Sequence, residues 1–218
     1  MISIKPGFII ESEIDGQEVL KQIEKVGRTC YKSEDRITDE SAHKFVASLI
    51  KHGHEAVIEH NSITVRFICD RGVSHEIVRH RLASFAQEST RYCNYNNDKF
   101  GKEINVISIE DGIKLDTKMK ELTPEIINEI LDEWTKAMED AERHYMKMIE
   151  LGATAQIARA VLPNSLKTEI VVTMNLREWR HFFKLRTELA AHPQMREITI
   201  PLLKEMKTLI PVIFDDIE

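Results

Sequence analysis

Ser62-Ile63-Thr64-Val65-Arg66-Phe67-Ile68-Cys69-Asp70-Arg71-Gly72-Val73-Ser74-His75-Glu76-Ile77-Val78-Arg79-His80-Arg81 changes its period in the middle. From Ser62 to Phe67 apolar and polar residues alternate, the pattern of a half-buried strand. Past Asp70, which can cap a helix, Val73, Ile77 and Val78 fall at helical spacing. The reading is a strand followed by a short helix. That helix delivers Arg79-His80-Arg81 and places Glu76 on the same face as Arg79 and His80.

Outward from this junction, both periods recur. Residues 2–10 read as a short strand broken at Pro6-Gly7. Asp15 with Glu18 makes a capping box, Val19, Leu20, Ile23 and Val26 follow at helical spacing, and Gly27 is placed to end that helix. A second helix follows Thr38, with Ala42, Phe45, Val46, Leu49 and Ile50 as its stripe and Gly53 as its stop. Residues 92–123 are irregular, with a short strand near Ile104–Ile109. Thr123-Pro124 opens a long helix whose stripe includes Trp134, Met138 and Tyr145, read as core. A shorter helix spans Thr154–Leu162 and stops at Pro163; residues 168–174, rich in β-branched side chains, read as a strand. Asn175 and Glu178 form a second capping box, opening a helix to about Ala190, and Pro193 opens the last helical region, kinked at Pro201. Helices and strands mix without a regular βαβ rhythm. The expected class is α+β, a mixed or antiparallel sheet flanked by helices in one domain spanning 1–218.

The 218 residues are enough for a sizeable core, and their composition excludes a disordered or low-complexity chain. No apolar run approaches the ~20 residues of a membrane span, and no secretory leader is visible. Cys30, Cys69 and Cys93 read as reduced thiols, and the expected location is the cytoplasm. A net charge of −6 disfavours nucleic acid or an anionic membrane as a partner, so any bound anion needs a local cluster of positive charge. None of the eight glycines forms a Rossmann or P-loop fingerprint. Arginine side chains, whose planar fork matches phosphate oxygens, must do that work here.

Residues 76–92 concentrate such groups: three Arg, one His, two Glu, one Gln and three hydroxyls before Tyr92, set between Ile77, Val78, Leu82 and Phe85. Arg79-His80-Arg81, seven residues, then Ser89 resembles the signature of the flavin-dependent thymidylate synthases. The likeness extends to His52-Gly53-His54-Glu55 with Glu59-His60. It continues through Arg159–Pro163, Thr168, Asn175, Arg177, His181-Phe182 and Leu185-Arg186 to the stretch at 193–198, whose spacing is altered.

The resemblance implies reductive methylation of dUMP to dTMP, with methylenetetrahydrofolate as carbon donor and FAD as hydride carrier, reduced by NADPH or NADH. It also implies a homotetramer with active sites shared between subunits, binding small molecules and neither nucleic acid nor membrane. By position, His54, Arg79, His80, Arg81, Gln87, Asn175, Arg177 and His181 match FAD contacts. Glu76, Arg79, Gln87, Glu88, Ser89, Thr90, Arg91, Arg159 and Arg186 match dUMP contacts. Arg186 and Ser89 are the candidate catalytic positions. A guanidinium at N3 and O2 of uracil favours the N3 anion and makes C5 electron-rich. Ser89 reads as a hydrogen-bonding ligand, with a nucleophilic role as its alternative. Ala56 stands where the family commonly has a hydroxyl, and Ala86 where it has Asn.

A metal centre among His52, His54, His60, Cys69, His75 and Cys93 lacks a ligand spacing of the usual kind, so no metal is expected. A nucleic-acid-binding module built on Arg-His-Arg conflicts with the net charge and lacks interleaved aromatics. Cys93 reads as a packed thiol, and Arg143 and Arg180 as surface charges beside Glu142 and Glu178, with Arg180 close enough to the site for a role there to stay open.

Overall fold

A computed structural model describes all 218 residues. In chain order the elements are β1 Ile2–Ile4, β2 Gly7–Ile10, α1 Gly16–Thr29, α2 Ser41–Lys51, β3 Ser62–Asp70, α3 Arg71–Ile77 and β4 Ala83–Gln87. They continue as β5 Asn105–Ile107, α4 Glu110–Leu115, α5 Pro124–Glu150, α6 Ala155–Ala158, β6 Lys167–Asn175, α7 Leu176–Arg186 and α8 Pro193–Leu209. The class is α+β, as the mixed periods require. One sheet has the order β2-β3-β6-β4; β1 and β5 form a separate parallel pair with Ser3 opposite Val106. No helix is long and apolar enough to cross a membrane.

Two compact units share the chain. The first comprises Met1–Gly7, Phe67–Arg79 and Ala86–Val171. Its core is Tyr95, Ile104, Val106, Met138, Tyr145, Ala158 and Leu166. The long helix α5 supplies Met138 and Tyr145 from its stripe, as read from sequence, and the Trp134 indole donates to Ser165 Oγ at 3.1 Å. Glu142, on the same helix, takes the Met1 amino group at 2.8 Å and the Ile104 amide at 2.9 Å, so it ties down the chain start and the approach to β5. Cys93 packs partly buried against this cluster, and burial raises its thiol pKa.

The second unit comprises Phe8–Arg66, His80–Phe85 and Val172–Glu218. Its centre is aromatic: Trp179 and Phe183 stack with ring centres 5.6 Å apart, and Phe183 meets Phe214 edge-on at 5.5 Å. Gly27 does not end α1. The helix continues to Thr29, and a side chain at Gly27 would meet the Phe45 ring at 2.7 Å. Close approach of α2, not chain reversal, is what that glycine serves.

Other boundaries also move. Helix α3 stops at Ile77, so Arg79-His80-Arg81 lies beyond the helix, on the connection into β4. The helix read as Thr154–Leu162 is α6 followed by one tight turn at Arg159–Val161. Helix α7 ends at Arg186 rather than Ala190, and α8 runs unbroken through Pro201. Each capping box is half formed. The Asp15 carboxylate accepts from the Gln17 and Glu18 amides, but the Glu18 carboxylate turns to Lys21 at 2.7 Å.

Candidate active site

Helix α7 builds one cluster, within the second unit. Asn175 Oδ1 accepts from the Glu178 amide at 2.8 Å and opens the helix. Glu178 does not reach back to complete the capping box. Its carboxylate meets His80 Nδ1 at 3.0 Å, both side chains nearly inaccessible. The other ring nitrogen, His80 Nε2, accepts from Arg186 Nε at 3.2 Å. An acceptor at one nitrogen and a permanent donor at the other assign the proton to Nδ1 of a neutral imidazole. Burial is the largest cause holding the His80 pKa below its ordinary value; the Glu178 bond opposes this and the Arg186 charge adds to it.

His181 lies one turn beyond Arg177 on α7, its ring centre 5.5 Å from that of His80, and it is exposed. Ligand atoms of His80, Glu178 and His181 fall within 4.8 Å of one another, a spacing a metal ion could bridge. Both His80 nitrogens are already committed, however, and the Arg186 guanidinium opposes a cation. Glu178 and His80 are instead a hydrogen-bonded pair, with the His181 ring set against that of His80.

Beside it lies a cavity of about 480 Å³ lined by donors Arg177, His181 and Lys184 and by acceptors Glu55 and Glu59. Arg177 is exposed and pairs with Glu59 at 2.7 Å. His54 is exposed at the start of the 55–60 turn, its ring 6.0 Å from His52. Arg81 is exposed, next to buried His80.

Arg180 is not a surface charge. It is 1% exposed, with Nε on Glu55 at 2.9 Å and its two terminal nitrogens on Asp216 at 2.6 and 2.8 Å; one of these also meets the Ile213 carbonyl. This bridge fixes the C-terminal segment against the turn that carries Glu55. Arg143, by contrast, is exposed, as read, but its partner is Asp140 and not the adjacent Glu142.

The second cluster belongs to the first unit and surrounds the 87–91 turn. The Gln87 amide donates to Ser74 Oγ at 2.9 Å and Thr168 Oγ1 at 3.2 Å, so its side chain is spent on anchoring the strand end. Glu88 accepts from the Tyr95 hydroxyl and from Lys167 Nζ, both at 3.1 Å, and its amide donates to the Glu169 carbonyl at 2.9 Å. Ser89 Oγ accepts from the Arg91 amide at 3.3 Å, and its carbonyl accepts from the Tyr92 and Cys93 amides. No imidazole or carboxylate bonds to Ser89 Oγ. Thr90 is buried, its hydroxyl receiving Arg159 Nη1 at 3.3 Å. Arg91 is exposed, over the Tyr92 ring. Glu76 is half-buried on α3 and Arg79 is exposed just past its end.

Sequence reasoning gives Glu178 only as a cap and Arg180 as a solvated charge, and it misses Lys167. The alternation of half-buried and buried residues along β6 was the available hint, since it sets Lys167 and Glu169 on one face of the sheet, opposite to buried Thr168.

The model of the family described as thymidylate synthase complementing protein matches residues 14–212. A flavin-dependent thymidylate synthase of Pyrococcus furiosus is 33% identical over 181 residues, 83% of this chain and 68% of the relative. That of Thermococcus kodakarensis is 36% identical over 172 residues, 78% of this chain and 64% of the relative. That of Geobacter sulfurreducens is 31% identical over 196 residues, 87% and 78% respectively. This chain therefore spans about two thirds of the length of the archaeal relatives. The crystal structure of a UMP/dUMP methylase, PolB, from Streptomyces cacaoi bound with 5-Br dUMP superposes with a TM-score of 0.82 over 99% of this chain and 96% of that one, at 21% identity. That likeness establishes the fold.

Proposed function

The chain belongs to the family of flavin-dependent thymidylate synthases, and from that premise we propose that it converts dUMP to dTMP. In this reading the carbon comes from methylenetetrahydrofolate, and the reducing equivalents come from NADPH or NADH through FAD. The observation that carries it is the Glu178–His80–Arg186 chain: a buried carboxylate fixes the tautomer of the central His of Arg-His-Arg, and that His anchors Arg186.

Held at Nε, the Arg186 guanidinium has a set plane. Directed at N3 and O2 of uracil, it stabilises negative charge on the ring before any bond forms, which raises the nucleophilicity of C5. Ser89 acts as a ligand; its hydroxyl lacks the neighbouring base that nucleophilic attack requires. Thr90, Arg91 and Arg159 take the phosphorylated end of dUMP, and Glu88 holds their turn in place.

For FAD, the donor set fits. Arg177, His181 and Lys184 face one cavity, and exposed Arg79, Arg81 and His54 add cationic or hydrogen-bonding arms. Bound FAD supplies hydride from its reduced form. Asn175 contributes through its cap on α7 and Gln87 through its anchoring of the turn. A 480 Å³ cavity is too small to enclose the whole dinucleotide, which supports FAD shared between copies in a homotetramer. Exposed Leu82 and Phe85, the latter on edge strand β4, support the same reading. We place the enzyme in the cytoplasm, with its cysteines free.

The test is anaerobic incubation of the purified, flavin-loaded protein with dUMP, methylenetetrahydrofolate and reduced pyridine nucleotide. The expected product is dTMP, identified by mass. Oxidation of the nucleotide without dTMP would reject the proposal.

A further inference from the structure

The 88–91 turn, helix α3 and the 156–166 segment line a cavity of about 500 Å³ in the first unit. Arg71, His75, Thr90, Gln156, Arg159 and Asn164 supply all its polar lining, with no carboxylate among them. Elsewhere in this acidic chain, three buried or half-buried arginines meet carboxylates: Arg28 on Glu24, Arg66 on Glu11, Arg180 on Glu55 and Asp216. Arg71 and His75 do not; neither side chain makes an ion pair.

Their placement is built. They stand four apart on α3 and so share one side of the helix. The Arg71 amide donates to the Asn164 carbonyl at 2.8 Å, and its own carbonyl accepts from Ser74 Oγ at 2.9 Å, which ties this turn of α3 to the opposite rim. Across the cavity Arg159 donates to Thr90 Oγ1, leaving the hydroxyl proton of Thr90 to be given to a ligand. Two guanidinium groups, an imidazole and a hydroxyl donor, uncompensated and facing one space, form a site for a doubly charged oxyanion.

We infer that Arg71 and His75 join Arg159 in gripping the phosphoryl group of the nucleotide substrate, an assignment that rests on the nucleotide reading of Arg159. The cavity is then the determinant that separates a nucleoside monophosphate from its nucleoside, with the sugar and base extending from it.

The experiment measures binding of dUMP and of deoxyuridine to flavin-loaded protein by calorimetry, for the wild type, R71Q, R71K and H75Q. The expected result is a loss of at least about tenfold in dUMP affinity for R71Q, the scale of a lost charged hydrogen bond, with deoxyuridine affinity and flavin content unchanged. R71K recovers part of the loss, because it keeps charge without the fork. H75Q shows a smaller loss confined to dUMP; its side chain is exposed, so it serves as the decisive variant if R71Q does not fold. Unchanged dUMP affinity in R71Q and H75Q, or equal losses on dUMP and deoxyuridine, overturns the assignment while the nucleotide reading stands. Wild-type protein that binds no dUMP overturns both.

Discussion

Arg186 Nε donates to His80 Nε2 at 3.2 Å, and the opposite nitrogen of the same ring lies 3.0 Å from a Glu178 carboxylate oxygen. A residue at the end of α7 is thereby oriented by one at its first turn, through a histidine from a different part of the chain. Glu178→Ala leaves the His80 Nδ1 proton buried without an acceptor, at a cost of about 1–3 kcal/mol. Glu178→Gln keeps an acceptor oxygen and loses less. Thermal unfolding of the two variants, with flavin content measured alongside, should rank wild type above Gln and Gln above Ala. Equal behaviour of all three would mean the carboxylate does not orient the ring.

The same arrangement predicts a pH dependence. The folded state holds His80 neutral, its pKa below the ordinary 6.5, chiefly because it is buried. Its contribution to stability is therefore complete above about pH 6.5 and is lost as pH falls through that value toward the lower folded pKa. Melting temperatures from pH 7.5 to 5 should fall more steeply for the wild type than for His80→Gln, which cannot titrate. Parallel curves would contradict the assignment of a neutral, buried imidazole.

Arg180 joins Glu55 to Asp216 from an almost fully buried position. Arg180→Met removes the partner of both carboxylates and should destabilise the protein by on the order of 3 kcal/mol, the low end for a broken buried pair because Asp216 is half exposed. The Arg180 hydrogen bond holds the Asp216 carboxyl below its usual range. That contribution is present above about pH 3.8 and is lost as pH falls through the lower folded value. Acid unfolding of Arg180→Met, followed by circular dichroism, should accordingly lose part of the wild-type steepness below pH 4.

These cases mark what the sequence carries and where it stops. Asp70 as the cap of α3, accepting from the Val73 amide at 2.7 Å, follows from residue type and spacing alone. So do the strand β3 and the Met138 and Tyr145 positions of α5, because one face of each is buried and the period survives in the residues. Strand β4 was not legible: Ser84, Phe85 and Ala86 are all exposed at a sheet edge, so nothing imposes alternation. Arg180 and Glu178 read as a solvated charge and a cap since their partners lie 36 and 98 positions away. Local pattern describes a helix face, but it cannot say which distant carboxylate or imidazole that face will meet. The dense segment 76–92 was legible as chemistry but not as geometry: its residues fall into two clusters, with His80 in one and Gln87 to Arg91 in the other.

Lys167 lies between two carboxylates, 3.1 Å from Glu88 and 2.6 Å from Glu169. Lys167→Met takes the cation away from both carboxylates, and a loss of about 1–3 kcal/mol is expected. Adding Glu88→Gln removes half of the repulsion, so the double variant should recover stability relative to Lys167→Met alone. Denaturant titration of the three proteins decides it. Additive losses would show that the lysine and Glu88 act independently, despite the Tyr95 hydroxyl that completes the same carboxylate's hydrogen bonds.

Arg186 offers the sharpest functional test, because charge and geometry can be separated at one position. Arg186→Lys keeps a cation at roughly the same place but loses both the planar fork and the Nε donor that His80 receives. If the guanidinium acts by stabilising the developing negative charge on uracil, even this conservative change should cost on the order of 10²-fold in turnover, the scale found when one preorganised donor is removed. Arg186→Ala should cost more. In both variants flavin content should hold near the wild-type level, since the FAD donors Arg177 and His181 lie elsewhere on α7. Turnover is read as dTMP formed per flavin, which corrects for partial loading. A Lys variant with near-normal turnover would show that net positive charge suffices and that the His80 anchor is dispensable. An Ala variant with near-normal turnover would remove Arg186 from the reaction, and with it the functional reason for the buried Glu178–His80 pair.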